Sequence, residues 1–214
     1  MSLSLLTYLL LLVLSFVASL VVLKKEPYVR YFSILLAISI ITEICAIIVY
    51  RMDESVNDYN IVYHVYLLIE FPLIVFILTH FIESEKIKLG LRWSIPLFWM
   101  ASLAISFYTT FLVHPAWNLN LSGLVIILIC FYVIFNISPH HNKSIFALPV
   151  FWFCMGWIFY VTGTFIYNFL YQYLLDIGRN ELAEMLQRLL IRTFNRTLYI
   201  AIIIGFICLK RIRK

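Results

Sequence analysis

Seven long apolar runs, separated by short polar connections, constrain this 214-residue chain more than any other feature of its sequence. A helix that crosses a bilayer needs about 20 mostly apolar residues, because each residue adds about 1.5 Å and the hydrocarbon core is about 30 Å thick. The runs predict seven transmembrane helices, at residues 3–23, 31–50, 61–81, 93–113, 117–137, 145–170 and 189–209. We therefore expect an all-α integral membrane protein, in which residues 1–214 form one seven-transmembrane-helix bundle.

The composition agrees with this fold class. Apolar residues make up 64% of the chain and charged residues 13%, whereas soluble domains have about 45–50% and about 25%. Little chain remains for a soluble catalytic or nucleic-acid-binding domain. We attribute the net charge of +5 to basic cytoplasmic loops and expect the lipid bilayer, and no nucleic acid, as a partner.

The basic residues predict the orientation, because cytoplasmic loops are enriched in Lys and Arg. With the N-terminus outside, the outer connections hold only Arg51, Arg179 and Arg188. The inner segments then hold Lys24, Lys25, Arg30, Lys86, Lys88, Arg92, Lys143, Lys210, Arg211, Arg213 and Lys214. The first run has no basic residue before it, which is typical of an uncleaved helix and not of a secretory signal. We expect the N-terminus outside and the C-terminus in the cytoplasm, in the plasma (inner) membrane.

The last run contains two arginines, and these charges point to a site. The segment 198–209 is free of charge but covers only about 18 Å, so the helix must take Arg192, Asn195 and Arg196 into the membrane. A buried arginine costs about 2.5 kcal/mol or more on insertion scales unless it faces the bundle interior, water or a partner. Their depths along the helices predict two ion pairs, Glu43 with Arg192 and Glu70 with Arg196.

Polar residues on four helices share a helical face, since positions i, i+4, i+7 and i+11 point the same way. Most of them fall in the outer half of the membrane and predict a polar, tyrosine-lined cavity that faces outward, with its floor near Glu70, Arg196 and Tyr160. The candidate ligand-binding residues are Glu43, Tyr63, Tyr66, Glu70, Tyr160, Thr164, Tyr167, Asn168, Arg192, Asn195, Arg196 and Tyr199.

Three structural interpretations compete with this cavity. The Glu and Arg residues could be ion pairs that only hold helices together. Tyr50, Tyr59 and Tyr171 could belong to the aromatic belt at the membrane surface. Residues 180–196 could form an amphipathic helix that lies on the membrane, although too few residues would then remain to cross it.

No familiar catalytic or metal-binding pattern accompanies these residues. Cys45, Cys130, Cys154 and Cys208 lie inside apolar runs and form no C-x-x-C pair, so neither a disulfide framework nor a metal site is expected. The H-E-x-x-H, G-x-S-x-G and P-loop patterns are absent. We expect no cofactor, and a lone His64 is more typical of a hydrogen-bonded anchor than of a ligand.

These features favour a receptor or sensor that binds a small or amphipathic ligand and signals through a separate membrane or cytoplasmic partner protein. An intramembrane enzyme acting on a lipid or isoprenoid is the first alternative, with Glu43 or Glu70 as acid or base and the two arginines on a phosphate. A transporter is another, since Pro72 and Pro149 could kink the third and sixth helices. A membrane scaffold subunit is the last.

Overall fold

The computed structural model describes residues 3–52, 59–112, 114–137 and 144–212. Within these ranges the regular structure is entirely helical: seven α-helices and a short 3-10 helix at Ile145–Ala147. The α-helices are α1 (Leu3–Val21), α2 (Pro27–Met52), α3 (Tyr59–Thr79), α4 (Glu85–Thr109), α5 (Ala116–Phe135), α6 (Pro149–Asp176) and α7 (Asn180–Ile212). All seven are long and apolar enough to cross a membrane.

Each predicted span overlaps one of these helices, but several helices run further than the apolar residues do. Helix α4 begins at Glu85, where residue 93 was predicted, and α7 begins at Asn180, where residue 189 was predicted. Hydropathy marks only the part of a helix that suits lipid, whereas hydrogen bonding continues into polar turns. The predicted inner charges Lys143, Arg213 and Lys214 lie outside the described residues.

Two prolines mark helix starts. Pro27 and Pro149 are the first residues of α2 and α6, a position where the missing N–H costs nothing and the fixed φ suits the helix. The predicted kink of the sixth helix at Pro149 is therefore wrong, because the proline lies at its beginning. Pro72 does lie inside α3, as expected.

The connection between α6 and α7 is much shorter than the sequence indicated. Helix α6 ends in a Schellman motif, in which Gly178 has a φ of 73° and the Arg179 amide donates to the Leu174 carbonyl over 2.8 Å. Only residues 177–179 separate the two helices. From Asn180 onward the chain is one helix of 33 residues, without a break between a surface segment and a crossing segment.

The described helices form two units. The first comprises residues 1–18 and 123–214, and in it α6 packs along α7. Glycines allow this approach: a Cβ on Gly156 would lie 2.9 Å from the Cβ of Ala201, and a Cβ on Gly163 would clash with the ring of Phe194. Small residues at such interfaces let helix backbones come close in a membrane.

The second unit comprises residues 19–122. Here α2 packs against α3, and α3 packs against α4. The rings of Phe71 and Phe98 lie 4.3 Å apart, and the indole of Trp99 donates to the Leu68 carbonyl over 2.8 Å. These contacts fix the face of α3 that α4 covers.

Candidate functional site

The candidate residues are divided between the two units. Glu43 on α2 and Tyr63, Tyr66 and Glu70 on α3 belong to the second unit. The first unit holds the remaining candidates, Tyr160, Thr164, Tyr167 and Asn168 on α6 and Arg192, Asn195, Arg196 and Tyr199 on α7. The predicted pairs Glu43 with Arg192 and Glu70 with Arg196 stay predictions.

Arg196 is held at one end of its guanidinium group. Its Nη2 atom donates to both the carbonyl oxygen and the Oγ of Ser4 on α1, each over 2.6 Å. The Nε atom is buried and has no hydrogen-bond partner in the part of the chain that the structure describes. One edge of a charged, partly buried fork is thus fixed, while a donor beside it remains unsatisfied.

Tyr199 lies one turn after Arg196 and is buried. Its ring centroid lies 5.8 Å from that of Tyr8 on α1. The hydroxyl of Ser15 lies 3.2 Å from the Tyr199 carbonyl and 2.8 Å from the Leu11 carbonyl of its own helix. Helix α1 therefore contacts α7 through Ser4, Tyr8 and Ser15.

This face of α1 was not predicted from the sequence. Ser4, Tyr8 and Ser15 occupy positions i, i+4 and i+11, the same spacing that identified the polar stripes on the other helices. In an otherwise apolar run, this spacing was the feature from which a polar face of α1 could have been predicted.

The other candidates of the first unit are largely used within the protein. Thr164 donates to the Tyr160 carbonyl over 2.8 Å, and Asn195 donates to the Ile191 carbonyl over 3.0 Å. Tyr167 is only 1% exposed, and its ring lies 5.5 Å from that of Tyr171. These contacts lie within single helices: Thr164 and Tyr167 contact residues of α6, and Asn195 contacts a residue of α7.

Asn168 and Arg192, the two remaining candidates of the first unit, differ in exposure. Asn168 on α6 is buried, and Arg192 on α7 is partly exposed.

In the second unit, Glu70 ends a short hydrogen-bonded chain. The Tyr66 hydroxyl lies 3.0 Å from Glu70 Oε1 and 2.7 Å from Ser39 Oγ on α2. Ser39 Oγ also lies 2.9 Å from the Leu35 carbonyl. The chain links α2 to α3. Glu43 and Tyr63 are partly exposed.

A second polar cluster of this unit was not among the candidates. His64 Nδ1 lies 2.9 Å from Ser106 Oγ, and Asn118 Nδ2 donates to Ser106 Oγ over 2.9 Å and to the Ser102 carbonyl over 3.4 Å. His64, Ser106 and Asn118 are all buried. His64 is thus a hydrogen-bonded histidine, as expected for a lone one.

His114, in the connection between α4 and α5, lies close to His64 of this cluster. Burial and, to a smaller extent, the nearby His64 together lower its pKa to about 4, so the ring is neutral at pH 7. Its Nε2 atom and Asn118 Oδ1 are buried without a hydrogen-bond partner among the described residues. The sequence held a signal here too, since Ser102 and Ser106 lie four residues apart within an apolar helix.

Comparison with known proteins leaves this geometry as the basis for any functional assignment: no protein-family model, curated protein or solved structure matches the chain.

Proposed function

We propose that the chain is a receptor or sensor of the plasma (inner) membrane, with its N-terminus outside, that binds a small amphipathic anion at Arg196 and signals through a separate partner protein. The observation that carries this proposal is the state of Arg196: Nη2 is fixed by Ser4, while the buried Nε has no partner in the described chain.

A guanidinium group in this state favours an anionic ligand. A buried charge is costly unless an opposite charge or several hydrogen bonds compensate for it. Both hydrogens of Nη2 are used by Ser4, which leaves the Nε–H group to donate to one oxygen of a carboxylate or a phosphate in a charge-assisted hydrogen bond. Because Ser4 fixes the guanidinium group, Arg196 would meet such a head group without first losing the freedom of its side chain.

The neighbouring rings favour an apolar portion of the same ligand. Tyr199 is three residues from Arg196 on α7, and Tyr8 is four residues from Ser4 on α1, so each ring lies on the same helical face as the polar group. The two rings are in contact with each other. An anionic head with a hydrocarbon tail combines both requirements.

The test is a thermal-shift measurement on the full chain in nanodiscs, with palmitate and dodecyl phosphate as probes. Binding at about 100 times the Kd stabilises the folded state by about 2.7 kcal/mol, which should raise the Tm by about 5–10 °C. The carboxylate and the phosphate probe distinguish the two kinds of head group. Dodecyltrimethylammonium should give no shift, because its head is a cation.

Two variants make the test specific for the site. Arg196→Gln should lose the shift, whereas Arg179→Gln, which removes an exposed arginine, should keep it. A shift that persists in Arg196→Gln, or an equal shift with the cationic probe, would show non-specific detergent binding and contradict the proposal.

An intramembrane enzyme is the second candidate, and one observation favours it. Ser106 Oγ and His64 Nδ1 are at the distance of a nucleophile and its general base. In acyl transfer the Ser106 oxygen would attack the substrate carbonyl as its proton passes to His64 Nδ1; the bond between the acyl carbon and the leaving group would then break, and the leaving group would take that proton from His64. This candidate ranks second because Ser106 is only 2% exposed. A fluorophosphonate probe should label wild type and Ser102→Ala but not Ser106→Ala; an unlabelled wild type excludes this candidate.

A further inference from the structure

The chain from Leu35 to Glu70 contains more hydrogen-bond contacts than its hydroxyl groups can supply. Three close oxygen pairs are present: Leu35 carbonyl with Ser39 Oγ, Ser39 Oγ with the Tyr66 hydroxyl, and the Tyr66 hydroxyl with Glu70 Oε1. Each pair needs one hydrogen between its oxygens. Serine and tyrosine carry one hydroxyl hydrogen each, so two hydrogens are available for three pairs.

A third hydrogen on the Glu70 carboxyl group resolves the shortage. The carboxyl then donates to Tyr66, Tyr66 donates to Ser39, and Ser39 donates to the Leu35 carbonyl, so every pair is a hydrogen bond. With an ionised Glu70, one pair is left with two oxygens facing each other at less than about 3 Å and no hydrogen between them. Additional partners of Tyr66 would not change this count, since they add no hydrogen to the three pairs.

We infer that Glu70 is a proton-binding site, in which a proton held on the carboxyl group completes a hydrogen-bonded chain that ties α3 to α2. This inference is independent of the proposed ligand at Arg196.

Release of the proton has a defined structural consequence. The ionised carboxylate would accept from Tyr66, Tyr66 would accept from Ser39, and the Leu35 carbonyl would lose its bond from the Ser39 hydroxyl. The proton leaves to solvent, no covalent bond between heavy atoms changes, and two hydroxyl groups rotate. The proton thus decides whether Ser39 is bonded to its own helix or turned toward α3.

Helix α3 contains no Lys, Arg or Asp and no Glu besides Glu70, and its histidine, His64, lies six residues before Glu70 and is bonded to Ser106. On α3 the residue after Glu70 is Phe71, which packs on Phe98 of α4. The charged residues of α4 lie only within its segment 85–92. On α2 the carboxylate nearest in sequence is Glu43, one turn beyond Ser39, and it provides a matched control.

Infrared spectroscopy of the full chain in nanodiscs at neutral pH tests the inference. We expect a protonated carboxylic C=O band, sensitive to exchange into D2O, that is lost in Glu70→Gln and retained in Glu43→Gln. If the band is absent from the wild type, or if Glu70→Gln removes carboxylate absorption instead, Glu70 is ionised and the inference is wrong.

The thermal stability of the same variant gives an independent readout. A glutamine side chain can donate to Tyr66 as the protonated carboxyl does, so Glu70→Gln should fold and change the Tm by less than about 2 °C. Glu70→Leu leaves Tyr66 and Ser39 with two hydrogens for two pairs, but it removes one bond and should lower the Tm more. A glutamine variant less stable than the leucine variant would contradict the proton count.

Discussion

The phenyl ring of Phe194 on α7 occupies the space that a side chain at Gly163 on α6 would need. The close approach recurs along the same interface, where a Cβ on Gly156 would lie 3.3 Å from Leu198 Cδ1. The two glycines are seven residues apart and share one helical face. The α6–α7 pair is therefore held by contact between backbone and side chain, which tolerates little added volume.

Gly163→Ala should destabilise the protein for this reason. Overpacking of a close interface costs about 1–3 kcal/mol, which corresponds to a decrease in Tm of about 2–12 °C. Gly90→Ala is the control, because no atom lies within 4 Å of the added Cβ. Gly90 is inside α4, so alanine should be neutral or stabilising by up to about 1 kcal/mol. Equal effects of the two substitutions would show that the interface accommodates the methyl group.

Asn118→Leu should be destabilising because it leaves Ser106 without a buried donor. The amide group bonds both Ser106 Oγ and the Ser102 carbonyl, and losing a partner of a buried polar group costs about 1–3 kcal/mol. Asn136→Leu, which removes an exposed amide bonded to Tyr132, should change stability by less than about 0.5 kcal/mol. Both are measured as thermal unfolding in the same detergent, and a similar loss in both variants would refute a structural role for the buried cluster.

His114 should make the protein less stable in mild acid. Its pKa in the folded state is about 4, below the ordinary value of 6.5, so the unfolded state binds the proton more readily. Stability is then fully present above about pH 6.5 and falls as the pH decreases toward 4, by at most about 3 kcal/mol.

The measurement for His114 is the Tm at pH values from 7.5 down to 4, in steps of about half a pH unit. These steps resolve the slope of Tm against pH. His114→Gln should have a flatter profile than the wild type. His80 is the control: its pKa is also lowered by desolvation, but the residue is exposed, so His80→Gln should leave most of the slope. A wild-type slope in His114→Gln would assign the acid sensitivity to other groups.

The predicted orientation can be tested with two exposed positions. Glu83 lies between α3 and α4, and Arg179 lies between α6 and α7. With the N-terminus outside, a membrane-impermeant maleimide should label Arg179→Cys on intact cells and Glu83→Cys only after permeabilisation. The unsubstituted chain corrects for its own cysteines. The reverse pattern would show that the predicted topology is inverted.

The existence of the helices could be predicted from the sequence, whereas their ends could not. The thickness of the bilayer directly requires apolar segments of a certain length, so each predicted span overlaps a helix. Polar turns such as those after Glu85 and Asn180 carry no comparable signal, because a helix outside lipid can include charged residues at little cost. Gly178 was the one strong indication of a helix end between α6 and α7, and it follows the last turn of α6.

The candidate site was predictable only as far as charge and phase allow. Arg196 could be predicted because an intramembrane arginine needs partners. Its partner Ser4 could not be distinguished from the other serines of the sequence, because they carry the same hydroxyl group. The cluster around Ser106 was missed for a related reason: serine and asparagine are common within apolar helices, and only contacts between helices show which of them are used together.

The three-residue turn between α6 and α7 has a consequence for biogenesis. Helix α7 carries Arg192 and Arg196, which makes it a poor candidate for entering the lipid phase alone, while α6 has no charged residue before Asp176. Joined so tightly, the two would leave the translocon as a helical hairpin, with the apolar partner carrying the charged one into the bilayer. Lengthening the turn around Gly178 should then impair membrane insertion before it affects any property of the finished protein.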